Sequence, residues 1–307
     1  MGPVVGRYFD ESASAWKVYT YASYPSPGVP ARKAIVPNPG DDRPYAEYYL
    51  LAINNLGQVA GSYQYPLDPT NNDILIWSSF LYSPGTSAGT ITLPNPPGAV
   101  DAFVSSINDA GWIIGWYYDA NYSSHCMIYK PPYAEAFVFE SLGGVANCSD
   151  ISPGNNIQDG GRDPMWDVNL NPLSINGLGQ IAGTVGTPNP DAYTGWPFQG
   201  FSSGVSVVVD AEGGEPGASS EARIVLPAAS NAFYSIMGLN NNGQFVGEAW
   251  SAVGCTDSGC TYPPYDYFLI NTDGSLQKMD PFAVRSLNDD VQMTDWNEPL
   301  SIVYPQN

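Results

Sequence analysis

The segment GGVANCSDISPGNNIQDGGRDPMWDVNLN, residues 143–171, holds Asp150, Asn155, Asp159, Arg162, Asp163, Trp166 and Asp167. Carboxylates so close together suit two kinds of chemistry. Asp163 with Asp167, or Asp150 with Asp159, could trade a proton as an acid and base pair, and Arg162 beside a tyrosine could serve a lyase. The same oxygens on Asp159, Asp163 and Asp167 could hold a calcium ion, although their spacing matches no EF-hand loop. Asp150, Arg162, Asp163 and Asp167 are therefore the catalytic candidates. A glycosidase further requires two carboxylates at a fixed separation, which depends on the fold.

Aromatic residues interrupt the chain in the same manner. Trp116, Trp166, Trp196, Trp250 and Tyr262 stand in polar, irregular stretches. An aromatic face offers an apolar platform, and amides and carboxylates beside it offer hydrogen bonds, which together suit sugar recognition. The expected ligand-binding set is Trp116, Asn155, Asp159, Trp166, Trp196, Trp250 and Tyr262. His125 is the single histidine, so a serine triad has one candidate base, and its place at the start of an apolar run favours a structural role. No phosphate-cradling glycine loop leads from a strand into a helix.

Charge narrows the partners. Thirty acidic residues face ten basic ones, for a net charge of −20. Such a surface repels phosphate backbones, anionic headgroups and polyanionic substrates, so neither nucleic acid nor a membrane surface is expected. No run of about 18 apolar residues is present, so no membrane insertion is expected. The start, MGPVVGRYFD, has neither the basic end nor the apolar centre of a signal peptide, and the chain reads as a mature form. Cys126, Cys148, Cys255 and Cys260 lack zinc-site spacing. CTDSGC closes a short loop suited to a disulfide, which leaves Cys126 with Cys148, and an even count favours an oxidising compartment.

The elements that must position these groups are visible as a repeat. INNLGQVAG at residue 53 returns as INDAGWIIG, INGLGQIAG and LNNNGQFVG, with a worn copy at Leu287–Asn288. The asparagines, Asn54, Asn108, Asn176, Asn240 and Asn288, fall at intervals of 54, 68, 64 and 48 residues. Periods near 50 suit a four-stranded propeller blade. Each unit carries a "VxG" strand, a "FLY" strand, an "xLP" strand and an "xIN" strand. Asn bonds its own backbone in the turn, and Gly takes a positive φ there. The phrase therefore predicts a β-hairpin rather than a binding loop.

With LPNPPGAVDAFVSSIN before it and GWYYDANYSSHCMIY after it, the phrase resembles the HAF-type extracellular repeats of bacteria. The resemblance is strongest over 88–129 and weakest over 284–307. It implies a repeated β fold outside the cell, without one shared activity.

The expectation is an all-β chain, 1–307, forming one β-propeller domain of four-stranded antiparallel blades. Five blades are expected, with six as the alternative, and the termini meet in one shared blade. Antiparallel strands put the Asn-Gly turns on a lower face and send the long interruptions 64–77, 116–124, 143–171, 184–197 and 249–266 to the upper face. A secreted protein that binds a neutral carbohydrate there is the leading reading. A propeller enzyme acting on polysaccharide and a cell-surface interaction protein are the alternatives. No cofactor is expected beyond calcium.

Overall fold

The computed structural model describes residues 4–12, 15–21, 33–37, 47–68, 71–87, 89–121, 124–139, 141–142, 146–147, 174–188, 201–210, 223–226, 232–251, 253–256, 259–261, 266–271, 275–279, 284–287, 293–295 and 302–303. All regular structure among them is β, and every strand pair is antiparallel. The chain divides into two compact units, Met1–Phe139 and Glu140–Asn307.

The first unit contains three sheets. β1 (Val4–Asp10), β2 (Ala15–Tyr21) and β3 (Lys33–Val36) form one. β4 (Glu47–Ile53), β5 (Val59–Asp68), β6 (Asn71–Tyr82) and β7 (Thr90–Thr92) form the second in simple meander order. β8 (Ala99–Ile107), β9 (Ile113–Asp119), β10 (Ser124–Tyr129) and β11 (Ala136–Phe139) repeat that order in the third. The four strand classes read from the sequence are these strands, but each four-stranded sheet opens on the "xIN" strand with which the expected unit ended.

The second unit repeats the plan. After the short pair β12 (Ser141–Leu142) and β13 (Ala146–Asn147) comes a sheet of β14 (Ser174–Ile175), β15 (Gln180–Pro188), β16 (Phe201–Asp210) and β17 (Arg223–Leu226). The next sheet takes β18 (Ala232–Leu239), β19 (Phe245–Ser251), β22 (Asp266–Ile270) and β23 (Leu276–Met279), with the hairpin β20 (Val253–Thr256) and β21 (Gly259–Thr261) inserted. β24 (Val284–Leu287), β25 (Met293–Asp295) and β26 (Ile302–Val303) close the list.

The described residues form six meander sheets of three or four strands, three in each unit, with β1–β3 in the first unit and β24–β26 in the second. The worn last copy supplies three strands of its own. One expectation is corrected here: 64–77 was expected as an irregular interruption. β5 and β6 run through it as a ladder, with Gln64 opposite Trp77 and Pro66 opposite Leu75.

Alternation along each strand explains the packing. Val59 and Phe80 pack with Val18, Val36, Tyr48 and Tyr63 between the first two sheets. Their neighbours Ala60 and Leu81 join Ala102, Val104, Ile113 and Met127 between the second and third. A strand buried on both faces reads as a continuous apolar run, as the wholly buried Ile113–Tyr118 stretch does. The "VxG" glycine has a steric cause. Gly115 lies opposite Val104, where β8 shifts register between Val104 and Ser106. A β-carbon there would overlap the Phe103 carbonyl. β4, β18 and β24 shift register near the same point.

Tyr129 anchors the second core. It is buried, its hydroxyl donates to the Pro94 carbonyl at 3.0 Å, and desolvation pushes its phenol pKa well up. Burial also raises Tyr133, which donates to the Gly111 carbonyl at 3.0 Å. A raised phenol pKa keeps its stabilisation below the ordinary tyrosine range and loses it as pH climbs above about 10, because the unfolded chain ionises first. The thermal midpoint should therefore fall above pH about 10. Tyr129→Phe should flatten that fall, and an unchanged slope in melts between pH 9 and 11.5 would count against the assignment.

Candidate functional site

The turn phrase is more than a hairpin. In each of the four described copies the Asn N–H donates to the carbonyl four residues on, and the turn Gly N–H donates back to the Asn carbonyl, at 3.0–3.1 Å. Gly57, Gly111, Gly179 and Gly243 take φ values of +73° to +79°, which an L side chain resists. Asn54, Asn108, Asn176 and Asn240 are 3–4% exposed. Asn54 Oδ1 accepts the N–H groups of Leu56 and Gln58 at 3.1 and 3.0 Å, and its Nδ2 donates to Gln58 Oε1 at 2.8 Å. The same Nδ2 donates to the Asn108 carbonyl of the next sheet at 2.9 Å. In the second unit, Asn176 Nδ2 reaches the Asn240 carbonyl at 3.1 Å. One position on, Asp109 accepts both the N–H and Nδ2 of Asn55 at 2.8 Å, and Asn241 accepts the Gly177 N–H. The carboxamide thus closes its own turn and fastens it to the following sheet.

The end of the sheet remote from these turns holds the aromatic residues. β9 leaves the Asn-Gly turn and runs toward Asp119, so Trp116 and Tyr118 stand near its far end. Register sets Trp116 beside Phe103 of β8 and Cys126 of β10. Phe103 stacks on Trp116 at 5.5 Å and 15°, lies 5.3 Å from Trp77, and meets the edge of Tyr118 at 6.0 Å. Asp101, 7% exposed, accepts the Trp77 N–H at 2.9 Å. Trp116 is itself 5% exposed, and its Nε1–H is buried without an acceptor among the described residues. A desolvated donor of this kind calls for an oxygen from water or ligand.

Trp116 was expected on an open loop as a platform. It lies inside β9 and is covered, because Phe103 and Trp77 complete a three-ring stack with it. Trp250 also falls within a strand, opposite Phe233 of β18. Asp150, Asn155, Asp159, Arg162, Asp163, Trp166, Asp167, Trp196, Tyr262 and Cys148 lie outside the described residues. Cys126 is buried and disulfide-bonded. His125 stacks on Tyr117 at 4.8 Å, with Nε2 3.4 Å from Asp119 Oδ2, a packing role in keeping with its place in β10. Among the described residues no three His, Cys, Asp or Glu side chains gather as metal ligands. Trp77, Asp101 and Phe103 were not singled out from sequence. A carboxylate opening the apolar run DAFV was the available signal for Asp101.

No family profile and no curated protein matches the chain. Solved structures do resemble it. TolB from Acinetobacter baumannii aligns at a TM-score of 0.54 and 10% identity, over 98% of this chain and 61% of that one. A prolyl endopeptidase aligns at 0.53 and 10%, over 96% of this chain and 38% of that one. The chain thus spans less than two thirds of either protein. At such identity the likeness speaks for architecture alone, and these neighbours are β-propellers. Meander sheets of four antiparallel strands, repeated in series, are the blades of a β-propeller fold.

Proposed function

We propose that this is an extracellular, six-bladed β-propeller that binds a neutral carbohydrate at the blade ends remote from the Asn-Gly turns. The observation that carries the reading is the Trp77–Phe103–Trp116 ring cluster ending on a buried indole N–H without an acceptor among the described residues. Stacked rings shield a fixed donor from water, and a sugar hydroxyl supplies an acceptor of the right kind. The net charge of −20 favours a neutral sugar over an anionic one. The likeness of the turn phrase to HAF-type extracellular repeats supports the location, and the six meander sheets support the blade count.

Trp116→Phe tests the reading, since it keeps an aromatic ring against Phe103 and removes the N–H together with part of the indole. Binding to an array of immobilised neutral glycans should weaken about tenfold, the scale of one lost hydrogen bond to a desolvated group. Failure of the unaltered protein to bind any neutral glycan would reject the carbohydrate. Equal binding by the variant would reject the role of Trp116.

A further inference from the structure

The connection between β19 and β22 carries the hairpin β20–β21, which pairs with no third strand among the described residues. Its register sets Cys255 directly opposite Cys260, with Thr256 opposite Gly259. Opposed residues of an antiparallel pair hold their Cα atoms about 4.5–5.5 Å apart. That separation falls within the roughly 4.4–6.8 Å a disulfide requires.

We propose that Cys255 and Cys260 form a cross-strand disulfide that is the dithiol-responsive site of the chain, opening before the bond at Cys126. Three observations separate the two bonds. The hairpin bond closes a loop with only Thr256–Gly259 inside it, so it restrains little chain. The ladder of β19 with β22 runs from Phe245 to Ala249 and does not involve the hairpin, so that sheet survives the reduction. Cys126, by contrast, is 1% exposed in a strand flanked by β9 and β11. Thiol–disulfide exchange requires in-line approach to a sulfur, which burial obstructs.

The step balances with a small dithiol as reductant. One thiolate attacks a protein sulfur, breaking the S–S bond and forming a mixed disulfide. The second thiol of the reagent then displaces that sulfur. The protein gains two thiols, and the reagent leaves as a cyclic disulfide.

The test is graded dithiothreitol on the folded protein, quenched with iodoacetamide and mapped by peptide mass. Cys255 and Cys260 should become alkylated together at reductant concentrations at least tenfold below those needed for Cys126, with the far-ultraviolet circular dichroism unchanged. The double variant Cys255→Ser, Cys260→Ser should lose the low-concentration labelling and keep the labelling at Cys126. Alkylation of Cys255 and Cys260 without any reductant would overturn the proposal. So would labelling of Cys126 at the same or a lower concentration.

Discussion

Replacing Asn54 with alanine should destabilise the first unit by about 3 kcal/mol, the largest effect expected of any exchange in the turns. The side chain is 4% exposed and makes four hydrogen bonds at once. Alanine leaves the N–H groups of Leu56 and Gln58 and the Gln58 amide oxygen without their partner. Each desolvated group left unpaired costs about 1–3 kcal/mol. Asn54→Asp separates the two roles. Its oxygen still accepts the turn N–H groups, but where Asn donated it presents an acceptor to the Asn108 carbonyl. It should therefore destabilise too, by losing the tie to the next sheet and the bond to Gln58 Oε1 while the turn N–H groups stay paired. Asn55→Ala is the control, because that exposed side chain loses a single bond to Asp109 and should cost under about 1 kcal/mol. Urea unfolding of the three variants checks the order. An Asn54→Ala midpoint equal to that of Asn55→Ala would show that the tie carries no weight.

Gly115→Ala should be as damaging for a different reason. The added carbon would overlap the Phe103 carbonyl and lie 2.8 Å from the Val104 Cα. Both obstacles are backbone, so no rotamer change relieves them. Overpacking of this kind costs about 1–3 kcal/mol where side chains can yield, and more where they cannot. Gly85→Ala isolates conformation from crowding, since Gly85 has φ +76° and nothing within 4 Å of the added carbon. That variant should lose only about 1–2 kcal/mol, the cost of a left-handed L residue. Comparable midpoints for the two alanine variants would argue that sheet packing at Gly115 is looser than described.

These variants also show which parts of the fold could be read from the chain. Strand classes and turns were readable because their causes are local: alternation of apolar residues, an asparagine bonding its own turn, a glycine at positive φ. The tie from Asn54 to Asn108 was not, because its acceptor is a backbone carbonyl 54 residues away and carries no side-chain signature. Trp116 was expected on an irregular loop, yet it lies buried inside β9. A tryptophan that forms a platform and one that forms a core obey the same two-residue period, and only the third ring in space distinguishes them. The 64–77 stretch misled because Pro66 and the polar residues after it resemble a loop, while Tyr65, Ile76 and Trp77 extend the ladder. The loop 143–171, richest in reactive side chains, owes its promise to composition alone.

The asparagine ties have a direction. In both units the earlier sheet donates a carboxamide and the later sheet offers a carbonyl, with the same atoms each time. A segment cut from one asparagine to the next therefore has matching ends: it can give forward and receive from behind. An in-frame duplicate of residues 54–107 would meet compatible neighbours on both sides without any compensating substitution. Gene duplication could thus lengthen such a chain, with the grammar of its joints already written into every copy.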